Sequence, residues 1–255
     1  LEAMFHADEL DQKLGAENMR ARLADLTLHH PPTLDPENCT VDVYNFGVFR
    51  YEGLYIGLPA MFHRNRSDKI DGDMGFHLVQ LASSRDLMHW KRLGDRKAFI
   101  GPSKIASGAY DRCQILPPSA PVVHGDELWF YYTGIKYRMP PEGETDNSAI
   151  CLAVLRRDGF ISLDAGGKEG TLLTRSFTAP AGKLFVNIDA TEGELRAEIL
   201  DGNGTVLAKA IPMKGDLARG EVQWEKGSRI NFKGMEISLR FTLRNAAFYS
   251  YWFEK

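Results

Sequence analysis

Apolar and polar residues follow a short-period pattern over most of this chain. Residues 41–50 read as a strand, Glu52-Gly53 turns the chain, and residues 54–62 run back. Residues 76–83 and 90–93 continue the series. Such runs, rich in Val, Ile, Tyr, Phe and Trp and separated by Gly and Asp turns, predict antiparallel strands. The series is then restated. His124-Gly125-Asp126-Glu127 forms a second hairpin turn, Leu128-Trp129-Phe130-Tyr131-Tyr132 a second returning strand, and residues 138–147 a second long loop. Leu54 and Leu128 are 74 residues apart, and Asp86 and Asp158 are 72 apart. A near-constant period means one supersecondary unit used twice, and repeated β units of about four strands are the blades of propellers.

The ends of the chain differ from this middle. Leu10, Leu14, Met19, Leu23 and Leu26 recur at helical spacing within residues 7–28. Pro31-Pro32 then stops any helix. Residues 1–36 therefore read as a lead-in carrying a short helix or an irregular segment. The blade pattern ends after Leu163, and Asp164-Ala165-Gly166-Gly167-Lys168 marks a boundary. Beyond it, close-set strands are predicted at 170–174, 183–189, 194–200, 206–210, 221–224, 236–243 and 247–253, with Asp201-Gly202-Asn203-Gly204 as a hairpin turn. About seven short strands in this space read as a β-sandwich. The expected organisation is all-β: lead-in 1–36, propeller blades 37–165 and a C-terminal β-sandwich 166–255.

Composition narrows the function. The 255 residues are 44% hydrophobic and 25% charged, ordinary for a soluble globular chain. The net charge of −3, with no block of lysine or arginine, argues against nucleic acid or an anionic membrane as partner. No apolar stretch is long enough to span a membrane. No basic-then-apolar leader opens the chain, so a signal peptide is expected to be absent or already removed. Cys39, Cys113 and Cys151 form no C-x-x-C pair and read as reduced thiols. His63, His77, His89 and His124 lack zinc-helix spacing, and His29-His30 beside two prolines reads as a solvated turn. The run Asp68-Lys69-Ile70-Asp71-Gly72-Asp73 lacks the closing Glu of a calcium loop. No metal or cofactor is expected. Neither Ser83-Ser84 nor Ser107-Gly108 forms a nucleophile elbow.

Ser84-Arg85-Asp86-Leu87-Met88-His89-Trp90, following Leu81-Ala82-Ser83, resembles the S-x-D-x-x-x-W turn of five-bladed β-propeller glycosidases of glycoside hydrolase families 32 and 43. A closer likeness is to bacterial family 32-like proteins that join a propeller to a terminal sandwich. It lies in residues 157–166, 184–187 and 239–246. The resemblance implies a carbohydrate-active hydrolase. It also implies more blades than the two present, so the chain is expected to be the C-terminal piece of a longer propeller or to be completed by self-association.

Glycoside hydrolysis needs two carboxyl groups flanking the scissile bond. In a propeller, carboxylates at the starts of inner strands converge on the central channel. Asp42, beside Tyr44 and Asn45, and Asp111, beside Arg112 and Gln114, occupy those places. They are the candidate catalytic pair, with Tyr44, Asn45, Arg112 and Gln114 as candidate sugar contacts. The competing reading has both aspartates bonding nearby backbone amides. Asp86 and Asp158 read as turn-forming residues, Asp126 and Glu127 as solvated, and Trp90 as packing. Three functions remain open: a glycosidase or a fragment of one, a non-catalytic carbohydrate-binding module, and an oligomerising β module. Exposed aromatics on a sandwich face, with Tyr249, Tyr251 and Trp252 as candidates, would favour the second.

Overall fold

A computed structural model describes residues 5–24, 39–65, 74–138, 140–226 and 231–255. His29, His30 and the acidic run 68–73 lie outside the described residues. The described chain is all-β apart from one α-helix and three short 3-10 turns. It divides into two compact units, one formed by residues 1–124 with 128–154, the other by 125–127 with 155–255.

The first unit holds two antiparallel sheets. The first consists of β1 (Cys39–Tyr51), β2 (Leu54–Asn65), β3 (Met74–Val79), β4 (Ala82–Ser84) and β5 (Trp90–Arg92). β2 pairs with β1 along its whole length, with β3 near its end and with β4 near its start. The stretch 76–83, expected as one strand, is therefore divided at Gln80-Leu81. The order is a meander, β1-β2-β3/β4-β5. The second sheet has β8 (Glu127–Ile135) at its centre. β6 (Gln114–Leu116) and β7 (Val122–His124) pair with β8, and β9 (Ser148–Arg156) also pairs with it. The two sheets meet through Phe130, whose ring contacts Phe49 and Phe99, and through the His77 N–H, which donates to the Cys113 carbonyl at 2.9 Å.

The helical spacing at the N-terminus corresponds to α1 (Glu9–Ala24). Asp8 caps it, accepting from the N–H groups of Leu10 and Asp11 at 3.0 and 3.1 Å. The Asp11 carboxylate accepts from the Asp8 N–H in return, the reciprocal arrangement of a capping box. Met19 is fully buried with Val41, Met61, Phe76 and Leu78. β1 is a sheet edge, and α1 covers it. The Gln12 side chain accepts from the Val41 N–H at 2.8 Å and donates to the Val41 carbonyl at 2.6 Å, standing in for a neighbouring strand. Arg92 grips the buried Asp11 with two hydrogen bonds of 2.8 Å and also bonds Gln80. Arg96 does the same to the more exposed Asp8.

The second unit is one strongly curved sheet. It contains β10 (Leu163–Ala165), β11 (Gly170–Leu173), β12 (Phe177–Thr178), β13 (Lys183–Leu200), β14 (Val206–Lys209), β15 (Met213–Glu221), β16 (Glu236–Arg244) and β17 (Ala246–Glu254). Residues 183–189 and 194–200, expected as separate strands, form the single 18-residue β13. Its first half pairs with β15 and β17, its second with β14 and β16. The Glu192-Gly193 stretch does not end the strand, because β16 and β17 follow β13 in line on either side of Asn245. A side chain at Gly193 would collide with the Arg244 carbonyl, so only glycine allows the two backbones to pass this closely. The expected strand 221–224 is instead the end of β15 plus an isolated Ala210–Trp224 bridge. Leu184, Val186, Ile188, Leu195, Ile199, Ile237, Leu239, Phe241 and Phe248 fill the core of this unit.

Candidate functional site

The first sheet carries a row of side chains on one face. Asp42 on β1 lies directly opposite Phe62 on β2, and Phe62 lies opposite His77 on β3. Directly opposed residues in a ladder share a face. Between Val43 and Asn45 the register slips by one residue, making Tyr44 the extra residue of a β-bulge. A bulge re-aims the side chain it carries. Tyr44 is 54% exposed, with its ring 4.6 Å from His77 and 6.0 Å from Phe62. Phe62 and His77 meet edge to face at 5.0 Å. The Arg138 and Arg64 guanidiniums lie over the Phe62 ring at 4.5 and 5.9 Å.

The row combines polar and apolar chemistry. Asp42 is exposed, and a carboxylate there accepts hydrogen bonds from ligand hydroxyls. Asn45 Oδ1 is buried and meets no hydrogen-bond donor among the described residues. His77 is fully buried, and neither ring nitrogen makes a hydrogen bond of normal geometry. Burial lowers its pKa to about 4, with the Ile115 carbonyl opposing the shift and the Arg138 and His63 charges adding to it. The ring is therefore neutral near pH 7 and supports Tyr44 as a flat, uncharged base.

Asp111 has different surroundings. It lies in the 3-10 turn Tyr110–Arg112, is 9% exposed, and accepts a hydrogen bond of 2.8 Å from the Tyr132 hydroxyl. Burial and the adjacent Asp111 push the Tyr132 pKa upward. Cys151 is raised as well, by burial first and Asp111 second. Arg112 stacks on Tyr137 at 4.1 Å and donates to the Lys136 and Ile105 carbonyls. Gln114 opens β6 opposite Ile135. The candidates thus fall into two groups. Asp42, Tyr44 and Asn45 share the β1 bulge. Asp111, Arg112 and Gln114 share the turn that enters β6. The His77–Cys113 backbone bond brings this turn alongside the β1–β3 row. No hydrogen bond joins the two groups directly among the described residues.

The remaining candidates have structural work. Asp86 accepts from the Met88 and His89 N–H groups at 2.8 Å and from the His89 ring at 2.7 Å. Those bonds hold its carboxyl well below the usual range. Ser84 Oγ accepts from the Leu87 N–H at 2.9 Å, and Trp90 Nε1 donates to the Leu87 carbonyl at 3.1 Å. The S-x-D-x-x-x-W pattern is a self-bonded turn, and Trp90 packs on Phe46 over Gly57. Asp158 accepts from Ser250 Oγ at 2.8 Å. Tyr249, Tyr251 and Trp252 are half-buried and lie against Arg156, Phe241 and Phe185 respectively. They form no open aromatic platform.

Sequence reasoning missed Phe62, His77, Arg64 and Arg138. The approach of Phe62 and His77 to Tyr44, and of Arg64 and Arg138 to Phe62, depends on ladder register and on contact between sheets, and no local motif marks either.

No protein-family model matches the chain, and no curated protein matches it. Three solved structures show distant likeness. A BT0996 RGII complex has a TM-score of 0.30 and 17% identity, covering 55% of this chain and 40% of that one. A glycoside hydrolase family 43 arabinoxylan arabinofuranohydrolase from Bacillus subtilis, in complex with cellotetraose, has a TM-score of 0.27 and 10% identity, covering 83% and 54%. The GH32 β-fructofuranosidase BmSUC1 of Bombyx mori has a TM-score of 0.20 and 10% identity, covering 87% and 67%. The chain thus spans about half or less of the length of the first two.

Proposed function

We propose that this protein handles carbohydrate and that a sugar ring binds on the β1 bulge, against Tyr44 and beside Asp42. The observation that carries this reading is the bulge itself. It lifts a half-exposed tyrosine out of the ladder onto a neutral His77–Phe62 base, with an exposed carboxylate two residues away. The apolar face of a sugar stacks on such a ring, and its hydroxyls need nearby acceptors and donors. The resemblance of the Ser84–Trp90 turn to propeller glycosidases supports the same ligand class. The repeated meanders would then act as two blades of a propeller.

The test is binding of a panel of neutral and acidic oligosaccharides, followed by titration calorimetry. Tyr44→Ala should weaken the best ligand by about tenfold, the scale of one lost aromatic contact. Tyr44→Phe should bind nearly as well as wild type. Binding that is indifferent to Tyr44→Ala would overturn the proposal. A second reading, hydrolysis, draws on the buried Asp111–Tyr132 pair as an acid site and Asp42 as its partner. Release of aryl leaving groups by wild type, lost in both Asp42→Asn and Asp111→Asn, would establish it. Sugar binding without any release leaves a binding module.

A further inference from the structure

The second sheet has one finished face and one open face. Leu128, Phe130 and Tyr132 of β8 point inward and are buried. On the other face, Val122 is 53% exposed, Tyr131 45%, Ile150 71%, Leu152 43% and Val154 52%. The hairpin joining β8 to β9 fixes their alignment. The Lys136 N–H donates to the Asn147 carbonyl, and the Arg157 N–H donates to the Asp126 carbonyl, each at 2.8 Å. Both bonds give the same antiparallel register, with Tyr131 opposite Leu152 and Thr133 opposite Ile150. The exposed apolar residues of β8 and β9 are therefore one contiguous patch across those two strands.

β9 is also an open edge. Among the described residues it pairs with β8 alone. From Ala149 to Leu155 it has no charge and no proline, and its register with β8 leaves no room for a bulge. Those are the devices by which proteins protect an edge strand. The contrast with β1 is direct, since there Gln12 of α1 occupies the edge.

We propose that β9 pairs edge to edge with β9 of a second copy of this chain, antiparallel and centred on Leu152. The strand is complementary to itself in that register. Leu152 lies opposite the partner copy's same position, and Ile150 lies opposite Val154, so apolar residues meet on one face. Cys151 lies opposite Ala153, so small residues meet on the other. Charge agrees with the antiparallel sense. Exposed Glu142 and Asp146, with Glu144, precede the strand, and Arg156 and Arg157 end it. The two-fold brings the acidic end of each copy to the basic end of the other, whereas parallel pairing would set like against like. One self-complementary patch on both subunits is the isologous contact of a C2 dimer.

The experiment is light scattering of the full chain across a dilution series, with targeted cross-linking. Wild type should have twice the 28.6 kDa chain mass at the upper concentrations. Leu152→Lys should be monomeric throughout, with an unchanged far-UV spectrum and, at dilutions where wild type is also dissociated, an unchanged Tm, because the side chain it replaces is solvent-facing. Opposed Cβ atoms in a ladder are about 5 Å apart. Leu152→Cys should therefore form an intermolecular disulfide with itself on mild oxidation, located by peptide mass spectrometry. Ile150→Cys should not link to itself, because four residues of strand, about 13 Å, separate the two copies of that position. It should link to Val154→Cys when the two variants are mixed. A wild type that is monomeric at every concentration overturns the proposal. So does a dimer that survives Leu152→Lys, or one in which Leu152→Cys fails to link.

Discussion

Glycine at position 15 sits inside α1, where alanine is ordinarily preferred by about 1 kcal/mol. The structure reverses that preference. A Cβ at Gly15 would lie 2.4 Å from Cγ2 of Val41 and 3.5 Å from the Cys39 sulfur. Val41 is 2% exposed, paired in β1 and β-branched, so its methyl has no free rotamer to move into. Overpacking of this kind costs about 1–3 kcal/mol. Set against the propensity gain, Gly15→Ala should lose about 0–2 kcal/mol, or up to ~4–8 °C in Tm for a chain of this size. Urea and thermal unfolding followed by far-UV circular dichroism would measure it. The decisive comparison is a double-mutant cycle. Val41→Ala removes the clashing methyl, so Gly15→Ala should be neutral or stabilising in that background, with a coupling of roughly 1–3 kcal/mol. If Gly15→Ala alone raises stability by its helix propensity, then α1 does not seat on the β1 edge and the reasoning is wrong.

Other predictions concern charge and protonation. Asp11→Ala should cost about 3–5 kcal/mol by leaving the Arg92 guanidinium, 11% exposed, without its carboxylate; adding Arg92→Met should recover most of the loss in chemical denaturation. His63 and His77 are held neutral by burial, each with a pKa lowered to about 4 from 6.5. Between those values the unfolded chain takes up protons that the folded chain refuses. Stability should therefore be full above pH 6.5 and fall toward pH 4 by up to about 1.4 kcal/mol per pH unit for each ring. His77→Phe should remove one of these two contributions from the measured slope, and an unchanged slope would contradict it. Asp86→Ala should lower the Tm by freeing the Met88 and His89 amides while leaving any sugar affinity unchanged, which calorimetry on the same ligand would check.

Local patterns in the sequence carried most of the strand inventory. Alternation at 195–200 marks a strand and also names its buried face, because successive side chains point to opposite sides. The Ser84-Asp86 turn is legible for the same reason of range: its bonds span two or three residues. Asp42, Tyr44 and Asn45 stand out as a polar and aromatic group within a strand. What escapes the sequence depends on separation along the chain. Gln12 reaches Val41 across 29 residues and Arg92 reaches Asp11 across 81, and neither pair has a spacing that identifies it. The bulge that exposes Tyr44 exists only relative to β2, since one strand's extra residue is defined by what its partner lacks. The same holds for β13. Its Glu192-Gly193 step reads as a turn until Arg244 and Asn245 are seen passing beside it, which keeps eighteen residues in one strand. The neutral state of His77 also required the tertiary structure, because desolvation is set by the residues that surround a group and not by those that precede it.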